Sequence, residues 1–388
     1  MDVVRLLVLL RCFLRSKTLN IKIFKKVSHM ELLLKLLCIS IGKSESFEKV
    51  LSDLEWKVLY DLVTKQAITG ICFNGVQNLL KKHGELCVNL PVKLKIQWIG
   101  VTSMIRERNE LMNTKCQELM ERLNRDGMRC CILKGQGVAA LYGDLSLDRQ
   151  PGDIDIWLDG SRDRVIDYVM SIAPTKEFDQ KHIHFHLFDN VEIEVHWIPV
   201  YRNSPKFDKI LGKYFEKERE RQMSNGGFPT VDFQLIHQLL HLYSHYVYEG
   251  VGLRQMMDLY FSQKNCMEQK PECVQEILKL FKSLGLLSFV GATQWVIQNV
   301  FEDSQILLCA PNVKDGYKLL QEIEIGGNFG HYNAKNQVVD ERLLHRFWRR
   351  WHRRIRMWRY DPIGTLFMPW ERLKLELWMR RKRRQYGV

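Results

Sequence analysis

The 388-residue chain has ten cysteines but no CxxC pair, and Cys130 and Cys131 stand side by side inside an apolar run. That spacing excludes the common zinc-binding frameworks and argues for reduced, buried thiols rather than disulfides. The sequence also lacks a membrane-spanning run: the apolar stretch Val3 to Leu14 is broken by Arg5 and Arg11 and falls short of the roughly 20 residues a spanning helix needs. No small-x-small cleavage site follows that stretch, only the basic SKTLNIKIFKK. The sequence therefore predicts a non-native or poorly structured leader over 1–29, Met30 as an alternative start, and a cytoplasmic protein. GxxxxGK[ST] is missing as well, which excludes a P-loop.

What is present is ordinary for a globular chain: 46% hydrophobic and 27% charged residues, enough for two or three packed units. The charge is uneven. From Glu341 onward 15 Lys or Arg face 4 acids, so the tail carries +11 of the net +13 and the remainder is nearly neutral.

From Glu31 to about Leu80 the apolar spacing is helical, with a break at Gly42 to Ser46 and Ser46 as the expected N-cap of the second helix. Pro91 opens a longer pattern in which Leu94, Trp98, Val101, Ile105, Leu111, Met112, Leu119 and Leu123 recur at three- and four-residue steps, closing at Gly127. This first third reads as a helical region without chemistry.

The chemistry begins in LKGQGVAALYGDLSLDRQPGDIDIWL, Leu133 to Leu158. A short apolar run ends at Gly135 and Gly137, where backbone amides can approach an anion closely; a tight strand-to-helix turn without a ligand is the other reading. Asp153 and Asp155 flank Ile154, so in a strand both carboxylates point to one face. Two like charges at a half-buried position are costly unless a cation lies between them, and carboxylate oxygens suit Mg2+ or Mn2+.

Further on, Ser161 can cap the helix SRDRVIDYVMSIA, and HIHFHLFDNVEIEVHW alternates with period two on both sides of Asp189 and Asn190. A three-residue loop, Phe188 to Asn190 with Asn190 left-handed, sets His186 opposite Glu192 and His184 opposite Glu194 and so segregates the faces. One face then carries His182, His184, His186, Glu192, Glu194 and His196; the other meets the core.

Two aspartates on a strand, a glutamate on an antiparallel neighbour and a preceding glycine turn are what two-metal phosphoryl transfer requires. On these residues the chain resembles the polymerase-beta-like nucleotidyltransferase superfamily. More narrowly it is similar to the uncharacterised bacterial nucleotidyltransferase family, through Lys134-Gly135, Tyr142-Gly143, Arg149, Pro151 to Ile156, Glu194 to Trp197, and Gly252 to Gln255 with Asp258. The resemblance runs from about Glu31 to Tyr360. It implies NMP transfer from an NTP to an acceptor hydroxyl on a small molecule, possibly sugar-like, or a protein. Asp153, Asp155 and Glu194 would be metal ligands and catalytic groups, with Glu192 as the rival third carboxylate. Lys134, Gly135, Gln136, Gly137, Arg149 and Arg254 would meet the nucleotide. Gln136 departs from the family, standing where a Gly or a hydroxyl residue is usual, and the gap from Gly135 to Asp153 is longer than the superfamily pattern.

Other features stay secondary. His237, His241 and His245 form one stripe on a helix, too extended at 1.5 Å per residue for three ligands on one ion, so they line a cleft or make hydrogen bonds. His184, His196 and His241 are further site candidates. Arg254 and Asp258 sit at i and i+4, where a salt bridge competes with a substrate contact. Gly326 to Gly330 reads as a flexible loop. In the tail, Leu344, Phe347, Trp351, Ile355 and Trp358 share a stripe among arginines. It can dock on the protein with a basic outer face, bind RNA or DNA, or lie on an anionic membrane. A non-catalytic protein using that tail is the alternative function. The expected fold is α+β: a helical region over 30–126, a small mixed-sheet core over 127–228, a helical region over 229–338 and the basic aromatic tail over 339–388.

Overall fold

The amphipathic runs of the first third form four helices in the computed structural model, which describes residues 17–333, 351 and 353–387. They are α1 (Lys17–Ser40), α2 (Asp53–Lys65), α3 (Thr69–Val88) and α4 (Val92–Arg125). The second starts later than its apolar spacing predicts. Ser52, not Ser46, is the N-cap, because a capping box is available there: the Ser52 hydroxyl accepts from the Glu55 amide, and the Glu55 carboxylate accepts from the Ser52 amide at 2.9 Å. α4 opens after Pro91 and stops before Gly127 at φ +68°, as its flanking residues predict.

Four strands follow, β1 (Cys130–Ile132), β2 (Ile154–Leu158), β3 (His182–His184) and β4 (Ile193–His196), in the order β1-β2-β4-β3. β1 and β2 are joined by the short α5 (Gln136–Ala139) and a 3-10 stretch, Ala140–Asp148. β2 leads into α6 (Arg162–Ile172), whose first turn is capped by Ser161 as expected. The aspartate strand and the glutamate strand run parallel, pairing Asp155 with Glu194 and Ile154 with Ile193, where an antiparallel pair was expected. A helix and the edge strand β3 intervene between them, enough chain to return β4 to the end where β2 began.

The hairpin register at the acids holds: His184 faces Glu194 and His182 faces His196. Its origin differs. The tip is a two-residue turn, with Phe188 bridged to Val191, and Asn190 is not left-handed. The one-residue offset is absorbed between Phe185 and Phe188, where the Leu187 amide turns back onto the Phe185 carbonyl at 2.8 Å. A bulge of this kind leaves the distal pairing unchanged while the tip takes its own turn.

Alternation in β2 divides the interior. Ile154, Ile156 and Leu158 join Ile183, Val195, Val165 and Val169 in one apolar cluster, together with Met112 and Leu119 from the end of α4. Trp157, on the face shared with Asp155, belongs to the second and larger cluster. That cluster is supplied by α1 to α4 and by α7 (Pro205–Met223), α8 (Val231–Tyr248), α9 (Leu253–Gln269), α10 (Val274–Ser283), α11 (Leu287–Val300) and α12 (Val313–Gly326). Trp157 stacks on Phe233 of α8 with ring centroids 5.8 Å apart. Anchoring the tryptophan there carries Asp155 under the same helix. The result is the expected α+β arrangement, a small mixed sheet between helical regions.

The tail departs from its predicted stripe. Leu344 and Phe347 lie outside the described residues, while Ile355 and Trp358 are exposed and Arg353, Arg354 and Met357 are buried. Arg353 donates to the Tyr246 carbonyl at 2.7 Å, and Arg354 lies over the Tyr248 ring at 4.2 Å. Guanidinium groups that find carbonyls and aromatic faces can be buried, so Arg353 and Arg354 turn inward while Ile355 and Trp358 face outward. α13 (Pro362–Tyr386) completes the chain. Among the described residues no helix is long and apolar enough to cross a membrane.

Candidate active site

The turn after β1 is built for close packing. Gly135 has φ +61°, and a Cβ there would stand 2.8 Å from the carbonyl oxygen of Asp153. Only glycine lets this turn lie against the start of β2. Gln136 is buried and directs its amide to Asn113, while Gly137 packs on Ile132.

Across the turn, Lys134 reaches Asp155: Nζ lies 2.6 Å from Oδ1. Asp155 is 4% exposed and also has His196 Nε2 at 3.0 Å from the same oxygen. Glu194 projects from β4 beside it, with Oε2 3.3 Å from His196 Nε2 and 3.2 Å from His182 Nδ1. Asp155, Glu194 and His196 thus offer ligand atoms within 4.8 Å of one another. Glu192, the rival third carboxylate, is exposed and takes no part in this group. Asp153 precedes β2 and opens to solvent.

The charges form one system. Burial works against ionised Asp155 and Glu194, but Lys134 and His196 more than offset it and hold both carboxyls below their usual range. Burial likewise opposes charge on Lys134, and Asp155, Glu194 and Asp153 reverse it, keeping the ammonium charged. Asp153 behaves oppositely: loss of hydration and then repulsion from Asp155, Glu194 and Glu192 push it up to about 6. His182 is pushed down to about 4 by burial and by His196. The two buried acids that need a cation are Asp155 and Glu194, with the Lys134 ammonium beside them; Asp153 stands outside this group.

Residues 52–302, more than half of the chain, match the model of a family described as uncharacterised nucleotidyltransferase. The chain belongs to this nucleotidyltransferase family. No curated protein and no solved structure matches it.

In this nucleotidyltransferase the two arginines expected at the nucleotide have different surroundings. Arg149 is 3% exposed and grips Asp258 through two bonds, Nε to Oδ1 at 2.7 Å and Nη2 to Oδ2 at 2.8 Å. Tyr142 donates to the same carboxylate at 2.6 Å. Arg149 therefore joins the Asp153 loop to α9 inside the protein, with its guanidinium buried and paired to Asp258. The i,i+4 salt bridge between Arg254 and Asp258 is also absent, since Asp258 is already taken. Arg254 instead places its guanidinium against Gly152, where a Cβ would come within 2.8 Å of Nη2. Among the described residues it makes no hydrogen bond or ion pair. Burial and the charge of Arg149 push it down to about 10.

The α8 histidines stack in sequence. His237 and His241 are parallel with centroids 5.9 Å apart, and His241 Nε2 meets His245 Nε2 at 2.9 Å. His241 and His245, with Asp179, Lys181, Tyr201 and Tyr248, line a cleft of about 840 Å3. Asp179 and His182 connect this cleft to the acids. His182 lies on the strand face that alternation predicts, whereas Asp179, just before the strand, carries no sequence expectation. The available signal was its spacing, an Asp three residues before the first strand histidine. Its Oδ1 accepts from the Lys181 and His182 amides at 2.8 and 3.1 Å, a local turn that orients the strand.

Proposed function

We propose that this nucleotidyltransferase moves a nucleoside monophosphate from an NTP to an acceptor hydroxyl, with Mg2+ or Mn2+ held by Asp153, Asp155 and Glu194. The observation that carries the reading is Asp155 paired in register with Glu194, with Lys134 and His196 on the same carboxylate oxygen. The fit rests on Asp155 and Glu194, which with the His196 imidazole offer ligand atoms within 4.8 Å of one another around acids that need positive charge; Asp153, outside that group, would join from the start of β2. A bound cation supplies neutralisation of the phosphates and acidification of the acceptor hydroxyl. The protein's own groups do the rest. Lys134 and the unpaired Arg254 bind phosphate oxygens, and Gly135, Gln136 and Gly137 border the nucleotide. The acceptor, a sugar-like molecule or a protein hydroxyl, enters by the cleft beneath Tyr201 and Tyr248. Its oxygen bonds to the α-phosphorus as the bond to the leaving pyrophosphate breaks. The hydroxyl proton passes to a carboxylate of the site, of which Asp153 is the one open to solvent. The free thiols, most of them buried, fit a reducing cytoplasm.

The test is incubation with labelled NTPs and Mg2+ in the presence of pooled small-molecule acceptors. NMP transfer or pyrophosphate release should appear and should vanish in Asp155→Asn and Glu194→Gln. Release that survives both substitutions refutes the mechanism.

A further inference from the structure

Glu194 belongs to two groups. One is with Asp155 and His196; the other is with His182 and His184, whose ligand atoms likewise lie within 4.8 Å of one another, and Glu194 Oε2 contacts both His196 and His182. We infer that His182, His184 and Glu194 form a separate binding site for a zinc-class divalent ion. This goes beyond the nucleotidyl-transfer reading and shares only Glu194 with it.

The donor chemistry differs from that of the aspartate pair. Two imidazoles and one carboxylate are a borderline set that favours Zn2+, Co2+ or Ni2+ over Mg2+. The distance fits as well. His182 Nδ1 is 3.2 Å from Glu194 Oε2 yet makes no hydrogen bond there. Bonds of about 2.0 to 2.1 Å to a tetrahedral ion leave ligands about 3.3 Å apart. His182 is more than nine-tenths buried, so the unpartnered nitrogen is aimed inward.

Both rings are also oriented from behind. His182 turns Nε2 toward Asp179, 3.8 Å from Oδ2. His184 turns Nδ1 toward Glu177, 4.0 Å from Oε2. A carboxylate behind the non-ligating nitrogen is the usual support of a metal-bound histidine. It leaves Nδ1 of His182 and Nε2 of His184 for the ion. Three protein ligands leave one position for water or a bound molecule. His184, with 28% of its side chain exposed, provides the approach from solvent.

The experiment uses the full chain, stripped with chelator and titrated with Zn2+ by calorimetry, with Co2+ absorption reporting tetrahedral geometry. One equivalent of Zn2+ should bind, and Co2+ should give the intense visible bands of a tetrahedral site. His184→Ala, at a partly exposed position, should abolish this binding without unfolding the protein. Asp179→Asn should weaken it by roughly 10- to 100-fold, and Asp153→Ala should leave it unchanged. Absence of Zn2+ binding overturns the inference. So does Zn2+ binding that survives His184→Ala, because the ion would then sit with Asp155 and His196 or with Asp153 instead. Loss of nucleotidyl transfer alone touches neither result.

Discussion

Arg149 and Arg254 have the same charge and lie near the same loop, yet their substitutions should act on different quantities. Arg149 is buried against Asp258 and Tyr142. Replacing it by methionine keeps much of its volume but strands a buried carboxylate. Removing one partner of such a pair costs about 3 to 5 kcal/mol. Arg254 can move partly toward the vacated side of Asp258, which places the expected loss at the lower end, about 3 kcal/mol. Arg254→Gln removes no pair and relieves repulsion with Arg149, so stability should change by less than about 0.5 kcal/mol. If Arg254 binds a phosphate oxygen, losing that charged hydrogen bond costs about 1.5 to 3 kcal/mol, or roughly 10- to 150-fold in NTP affinity. Urea unfolding of both variants, followed by NTP titration of folded protein at matched fractions, separates the two effects. An Arg149→Met protein that unfolds at the wild-type midpoint while losing NTP binding, or a destabilised Arg254→Gln, would refute this division of roles.

Gly152→Ala should be well tolerated in stability, because its Cβ meets only the movable end of Arg254 at 2.8 Å. The displaced guanidinium should raise the KM for NTP about tenfold, measured by steady-state kinetics. Gly135→Ala faces both a φ of +61° and a fixed carbonyl at 2.8 Å, and should lower unfolding free energy by about 1 to 3 kcal/mol in urea titrations. His237 is held neutral by burial, pushed down to about 3. Its unfolded form takes up a proton near pH 6.5, so its contribution is complete above that value and is lost as pH falls from about 6.5 toward 3. The penalty reaches about 2 kcal/mol at pH 5. His237→Phe keeps the stack with Phe233 and His241 and should flatten the stability profile between pH 7.5 and 5 by that amount. Parallel profiles for wild type and variant would rule this out.

Much of the site was legible because it depends on local periodicity. Segregation of the hairpin faces selected the register that brings His184 opposite Glu194, whereas Asp153 lies just before β2 and outside the group that Asp155 forms with Glu194 and His196. Pro91 and Gly127 bounded α4 for similarly local reasons. Helix starts were less secure where two serines competed, and Ser52 prevailed through a glutamate three residues on.

What the sequence determined by itself is which side of each element is apolar and which carries acids, since side-chain direction follows from backbone geometry within a few residues. Only the tertiary structure decided what each face meets. Asp258 could bond to the nearby Arg254 or to Arg149, 109 residues away, and the fold chose the distant partner, leaving Arg254 without an ion pair among the described residues. Parallel pairing of β2 with β4 came from the intervening helix and edge strand, and inward-facing Arg353 and Arg354 from carbonyls and rings that no local pattern encodes. Buried charges go wherever counter-charges and hydrogen-bond partners converge, and that convergence exists only once distant segments are packed.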